Sequence, residues 1–369
     1  MTAPARPWVV VTDYPAWPSP YLRELHTHIT GLQPQFRPDL DALASWPGPP
    51  GMVNLHRLKR LYRNQAGDRT TAAAHRMLEH LAGLRTAGWA VVWTVHNLLP
   101  IDGPPPGEAD HVAARGVLGL ADAVIAHTRA DATHLAALTD APITVAGWAG
   151  LSPPPVQEPL PGPLAAVVER MRSHRTLLVL GNLTAYKGLP AAVAAFVRAT
   201  TTAHLVIVGP ERIPHLVDEL HRARTGPGEG RVHLVAERVH PHHTAALYAA
   251  ADTAWCPYRS DGVWEFFTRV LHPSSVGTAV GFGCRVIAPD LPAITEMTDH
   301  HPRLLYPHRA GPEAALASWE AAPPAAPHAP ADGAGRWQAI GAAYTRLAHE
   351  LWENQKAIPH GHEGEGSAL

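Results

Sequence analysis

Thr176-Leu177-Leu178-Val179-Leu180-Gly181-Asn182-Leu183-Thr184-Ala185-Tyr186-Lys187-Gly188 is the stretch on which the fold turns. An apolar run of strand length ends at a glycine that lets the backbone turn tightly. Pro190 to Arg198 then reads as a helix, and His204-Leu205-Val206-Ile207-Val208, closed by Gly209-Pro210, reads as the next strand. Strand, loop, helix and strand at this spacing predict a parallel sheet with helices on its faces.

Downstream the alternation continues through strand-like runs at Val232 to Val235, Thr253 to Cys256 and Arg285 to Ala288. Upstream, Ser152 through Pro163 is dense in proline, fits neither helix nor central strand, and reads as a linker. Before it the same pattern runs once more. Strands are expected at Trp8 to Thr12, Met52 to Leu55, Ala90 to Val95, Ala123 to Ala126 and Ile143 to Val145, with helices such as Tyr21 to Thr30 and Thr70 to Thr86 between them. The expected architecture is α/β, two doubly wound units in tandem: residues 1–150, a linker at 151–165, and a second unit at 166–334. Ala321 to Ala334 reads as an Ala/Pro-rich surface connection. Residues 335–356 carry Trp337, Ile340, Tyr344, Leu347 and Leu351 at helix spacing, a helix expected to cross back to the first unit. The polar, glycine-rich residues 357–369 are expected to be disordered.

Composition bounds the function. The 369 residues are 46% apolar and 17% charged, with a formal net charge of -2, which argues against a role driven by broad electrostatic attraction to nucleic acid or membrane surfaces. No apolar run approaches the length of a membrane span, and nothing at the start of the chain resembles a signal peptide, so a soluble cytoplasmic protein is expected. Cys256 and Cys284 lie in core-like segments and fit a reducing compartment. The 25 histidines are mostly scattered. The clusters at His240-Pro241-His242-His243 and His360-Gly361-His362 have loop or tail composition and lack acidic or cysteine partners, so no metal centre is expected.

Ligands of open α/β sheets bind beyond the carboxyl ends of strands. Three segments of the second unit stand there. In the first, Gly181 and Asn182 make the turn and Lys187 places a cation on a flexible stem beside the cleft, which suits a diphosphate. In the second, Pro273 to Gly283 reads as a short helix of small residues ended by glycine. Ser274, Ser275, Gly277 and Thr278 sit at its start, where free N–H groups and the dipole favour phosphate. The third is the loop at Glu237, Arg238 and Val239, placed to bracket a nucleobase. Taken singly, each segment also fits an ordinary loop or a close-packed helix.

Taken in order, these segments resemble the C-terminal domain of glycosyltransferase family 4 and its GT-B relatives. The match runs through GNLTAYKGLPAAVAAF, HLVIVGP, LYAAADTAWCPYR and SSVGTAVGFGCRVIAPDLPAITE, covering residues 176 to 297, and more faintly through SPYLRELH, VVWTVHNLLP and ADAVIAHT. The resemblance implies the GT-B fold, two Rossmann-like domains facing each other across a cleft. It also implies transfer of a sugar from a UDP or GDP sugar to an acceptor, with retention of configuration and with no metal or other cofactor. By it Lys187 contacts the donor diphosphate, Glu237 to Val239 lie by the base, and His96 sits near the transferred sugar. If the enzyme inverts instead, a general base must face the acceptor hydroxyl, and Asp13 and His96 are the candidates. Trp17 and Tyr21, in the first domain, are placed to stack on a small-molecule acceptor.

The chain departs from the family pattern at two places. The paired glutamates that bind ribose in many members fall here on Val270 and Thr278, and Asn182 stands where an arginine often follows the loop glycine. Two rivals therefore stay open: an epimerase or sugar phosphorylase on the same fold, and a non-catalytic subunit that binds nucleotide without turnover.

Overall fold

The computed structural model describes residues 7–12, 19–30, 32–101, 103–151, 159–324 and 328–357. Two six-stranded sheets form its frame, and every strand pair in both is parallel. The first holds β1 (Trp8–Val11), β2 (Pro34–Arg37), β3 (Met52–Leu55), β4 (Ala90–Thr94), β5 (Ala123–Ala126) and β6 (Ile143–Val145) in the order β2-β1-β3-β4-β5-β6. The second holds β7 (Thr176–Leu180), β8 (His204–Val208), β9 (Val232–Val235), β10 (Thr253–Trp255), β11 (Val286–Pro289) and β12 (Arg303–Tyr306) in the order β12-β11-β10-β7-β8-β9. Central strands such as β1, β4 and β8 are buried at every position, as a parallel sheet covered by helices on both faces requires. In each sheet the chain runs outward to one edge and then returns to fill the other. The reversal falls between β1 and β3 in the first sheet and between β7 and β10 in the second, and the crevice beyond such a point is where ligands bind.

Sequence reading missed two strands, β2 and β12. Both are sheet edges, and most of their residues are only half-buried, so neither needs the apolar run that marks a central strand. The linker reading also needs correction. Residues 152–158 lie outside the described residues, but Pro163 belongs to the helix Gly162–Ser173. Proline fits the first turn of a helix because its missing N–H would have no partner there. Likewise, the His240–His243 run is not loop throughout, since Pro241 opens the helix Pro241–Ala250.

The helix Gly333–Ala357 lies against the helix Pro20–His28 of the first domain. Trp337, Ile340, Tyr344 and Leu347 share one apolar cluster with Trp8, Val10, Leu25 and Val92. Tyr344 meets Trp8 edge-on at 6.0 Å, and its hydroxyl lies 3.0 Å from Thr94 Oγ1. The C-terminal helix is thus a structural part of the first domain.

The two domains meet along a polar seam at the carboxyl ends of both sheets. Asn97 and Leu271 form an antiparallel bridge, and His272 N–H donates to His96 O at 2.8 Å. Glu296, on the helix Pro292–Met297, accepts from Arg129 N–H and Ala130 N–H at 2.9 Å each, capping the helix Arg129–Leu135 from across the seam.

Candidate functional site

At the reversal point of the second sheet lies a cavity of about 170 Å³, bounded by Leu180, the last residue of β7, and Gly181, by Tyr258 after β10, and by Ser274, Ser275 and Thr278. A larger cavity of about 530 Å³ sits at the opposite ends of the strands, beside Arg175, Asp252 and Arg285. Topology favours the smaller one, because loops at the amino ends of a doubly wound sheet do not converge on a crevice.

The smaller cavity brings a buried lysine up to a helix start. Gly181 takes φ of 107°, and its carbonyl lies so close to Gly209 that a Cβ there would come within 2.1 Å of it. This tight crossing of two strand ends turns the chain back toward Lys187. The lysine is buried, and its Nζ donates to Leu180 O at 3.2 Å. No carboxylate pairs with it among the described residues. Burial lowers its pKa from 10.5 to about 8. Cys256 alongside is no counter-charge, because its own burial pushes the thiol up to about 11. Opposite stands the helix Ser274–Gly281, whose N-cap is Pro273 and has no side-chain capping bond. Val276 and Gly277 donate back to Pro273 O at 2.9 and 3.1 Å, leaving Ser274 and Ser275 as the N–H donors at this end. Ser275 Oγ is held by Tyr258 Oη at 2.7 Å, and Thr278 Oγ1 donates to Ser274 O at 2.8 Å.

Seven of the expected residues fall in this region, and six of them line the cavity: Gly181, Asn182, Lys187, Ser274, Ser275 and Thr278. Gly277 shares the helix but faces elsewhere; a Cβ there would meet Met297 and Trp148. The loop after β9 leaves Glu237 and Arg238 exposed and Val239 half-buried, outside the residues that line the cavity. One cation escaped sequence reading. Arg212 Nε lies 3.4 Å from Asn182 Oδ1 and so stands at the position that lacks the family's arginine. Arg259, which packs against Gly188 of the same loop, is held in a two-bond pair with Asp261 at 2.9 Å.

His96 belongs to a second constellation. It follows β4, while His56 follows β3 and His127 follows β5, so neighbouring strand ends bring these histidines together. Extending the register of β4 and β5 sets His96 beside His127. His272 joins them from the second domain, directly before Pro273 and the cavity helix. His96 Nε2 lies 3.0 Å from His56 Nδ1, and His96 Nδ1 lies 3.0 Å from His127 Nε2 and 3.4 Å from His272 Nδ1. Burial, reinforced by the neighbouring imidazoles, holds His96 and His272 well below the usual histidine range, and burial holds His127 at about 4. At neutral pH the rings are therefore uncharged.

Tyr21 packs edge-on against His96 at 5.1 Å and against His272 at 5.7 Å, which puts the expected acceptor-side tyrosine beside this cluster. Asp13 and Trp17 lie outside the described residues. Asp131 was not singled out by sequence. Its Oδ1 accepts from Leu271 N–H at 3.0 Å across the seam, and burial raises its carboxyl from 3.8 to about 7.

Residues 174–319 match the family described as glycosyl transferases group 1. No curated protein matches the chain. Among solved structures, sucrose-phosphate synthase from Thermosynechococcus elongatus is similar at 16% identity and a TM-score of 0.56, covering 95% of this chain and 96% of that one. An alpha,alpha-trehalose-phosphate synthase (UDP-forming) from Burkholderia xenovorans, in complex with glucose-6-phosphate, gives 12% identity and a TM-score of 0.52 over 86% of this chain and 75% of that one. An E. coli trehalose-6-phosphate protein bound with UDP-2-fluoro glucose gives 13% and 0.51 over 86% and 76%. At these identities the structural likeness is one of fold. Among the described residues no helix is long and apolar enough to cross a membrane. Residues 174–319 are thus similar to the group 1 glycosyl transferases, and the two parallel six-stranded sheets give the chain the GT-B architecture of its structural neighbours.

Proposed function

We propose that the chain transfers a hexose from a nucleoside diphosphate sugar to a small-molecule acceptor held against the first domain. The observation that carries this is Lys187, a buried cation with no carboxylate partner among the described residues, facing an uncapped helix start at the reversal point of the second sheet. A diphosphate supplies the charge that both features lack. The leaving phosphate is stabilised by Lys187 and by the N–H groups of Ser274 and Ser275, so the donor diphosphate needs no divalent ion. Retention is the favoured outcome. The acceptor hydroxyl attacks from the face the diphosphate leaves, and the departing oxygen takes its proton. UDP is the first nucleotide to test, because the structural neighbours include UDP-sugar and UDP-forming proteins. Two reduced buried cysteines favour a cytoplasmic setting.

Thermal unfolding with UDP, GDP and dTDP, each with and without chelator, tests the donor site. One nucleotide should raise the midpoint by an increment that survives chelator and is lost in Lys187→Ala. No increment with any of the three overturns the assignment. Release of free nucleoside diphosphate that requires an acceptor separates transfer from epimerisation. Nucleotide binding without turnover would favour the non-catalytic reading, which rests on Val270 and Thr278 at the glutamate positions.

A further inference from the structure

His272 reaches from the second domain into a set of first-domain rings. It lies face to face with His127, ring centres 3.9 Å apart and planes 18° off parallel, and Tyr21 meets it edge-on at 5.7 Å. Its backbone is fixed at the same place, because Leu271 N–H donates to Asp131 Oδ1 at 3.0 Å and His272 N–H to His96 O at 2.8 Å. The ring belongs to one domain and its seat to the other.

The seat accepts one protonation state. His127 Nδ1 lies 3.2 Å from Gly147 O, an acceptor, so the ring carries its proton there and its Nε2 is a bare lone pair. His96 Nδ1, 3.0 Å from that lone pair, is then the donor. The same N–H faces His272 Nδ1 at 3.4 Å, so His272 Nδ1 is bare as well and the neutral ring keeps its proton on Nε2. A second proton on His272 would set two N–H donors head to head and lay a cation on the face of His127. Among the described residues no carboxylate pairs with His96, His127 or His272, so nothing in the seat compensates that charge.

We propose that His272 is a proton-operated latch between the domains: neutral, it stays seated against His96 and His127, and a proton on its Nδ1 unseats it and opens the cleft. Histidine clusters at interfaces act as pH sensors in this way. Burial and then His127 hold the seated ring well below its ordinary 6.5, whereas an imidazole released to water titrates near that value. Closure is therefore full above pH 6.5 and erodes as pH falls below it, the ratio of open to closed rising by at most about tenfold per pH unit. Behind His96 stand His56 and the Arg57 guanidinium, which add to the penalty for a charge here. Asp131 does not share this sign. Burial raises its carboxyl to about 7, and on gaining a proton it can still accept from Leu271 N–H. Glu296 bonds the backbone of Arg129 and Ala130 rather than the rings. Pro273, the N-cap of the helix Ser274–Gly281, follows His272 directly, so unseating the ring also moves the helix start at the smaller cavity. The latch stands whether or not that cavity takes a diphosphate, because its readout is molecular shape.

Small-angle scattering of the full-length protein from about pH 7.5 to about pH 5, above the usual carboxylate range, tests it, with circular dichroism recorded on the same samples. The parent's radius of gyration should grow as pH falls below 6.5, with secondary structure kept, and should return on neutralisation. His272→Gln takes no proton, and its radius should stay constant across the range. His272→Asn carries the comparison if the glutamine variant fails to fold. His221→Ala, on the exposed side of the helix Leu216–Ala223, should follow the parent. A constant parent radius overturns the latch, as does loss of secondary structure before any expansion. Expansion of His272→Gln that matches the parent's overturns it too, since the proton then acts elsewhere. A lost nucleotide increment with an intact acid expansion counts against the donor site alone.

Discussion

Lys187 and Asp131 are buried ionisable groups whose environments push them toward neutrality, and each makes a different prediction. Lys187 holds its proton in the free protein only up to about pH 8, so donor affinity should fall as pH rises through that value, measured as the nucleotide increment against pH. The unfolded lysine titrates near 10.5, so the stability tied to neutral Lys187 is full above that pH and lost as pH falls through 8. Lys187→Met removes the desolvated charge and keeps the volume. Its thermal midpoint at pH 7 should equal or exceed the parent's, with the gain shrinking at high pH, while nucleotide binding disappears. A midpoint several degrees lower would mean the ammonium stabilises the fold. Asp131 has the opposite sign. Its folded carboxyl titrates near 7 against an ordinary 3.8, so stability from the protonated form is full below 3.8, erodes as pH rises and is gone above 7. Asp131→Asn keeps an acceptor for Leu271 N–H and should flatten the fall in thermal midpoint between about pH 4 and pH 7. A profile that overlays the parent's would refute the assignment. Lys187 was legible in sequence because its loop directly follows a strand and a glycine. The histidine cluster was not, because its members stand 31 and 176 residues from His96 and meet only through strand order and domain closure.

At the scale of elements, the seam rests on one helix capping another. Glu296 supplies both carboxylate oxygens to the first turn of the helix Arg129–Leu135, and Thr128 Oγ1 accepts from Asp131 N–H at 3.0 Å in the same turn. Glu296→Ala should cost about 1–2 kcal/mol, the usual range for a lost helix cap, and Glu296→Gln less, because one amide oxygen remains. Urea unfolding measures both, and an unchanged alanine midpoint would show that the cap contributes nothing. The central strands could be read directly because they are buried on both faces and so are continuously apolar. Of the four edges, β6 and β9 could be read as well, but β2 and β12 could not. Pro34-Gln35-Phe36-Arg37 pairs on one side only, and its polar residues reach solvent or, like Arg37 and Gln35, bond each other at 3.1 Å. Pro163 misled for a local reason, since proline breaks a helix interior but suits its first turn.

At the scale of the whole molecule, closure is limited by backbone contact as well as by side chains. A Cβ on Gly150 would come within 2.2 Å of Gly277 O, on the helix whose start lines the smaller cavity. Gly150→Ala should therefore hold the domains apart without unfolding either. Small-angle scattering should report a larger radius of gyration, and transfer, once a donor and acceptor are known, should fall at least tenfold, as misplaced reacting groups require. Unchanged scattering would mean that the seam yields locally instead. Two domains and a crossing helix could be expected from sequence, but the depth of the crossing could not, since Trp337 and Tyr344 give a helix spacing without naming what they cover. That helix closes the face of the first sheet that holds Trp8, Val10 and Val92. During synthesis this face stays wet until residues 333–357 have left the ribosome, so the N-terminal domain, though made first, finishes last. The later-made domain can complete its own sheet before then, and its folding delivers the segment its elder neighbour awaits.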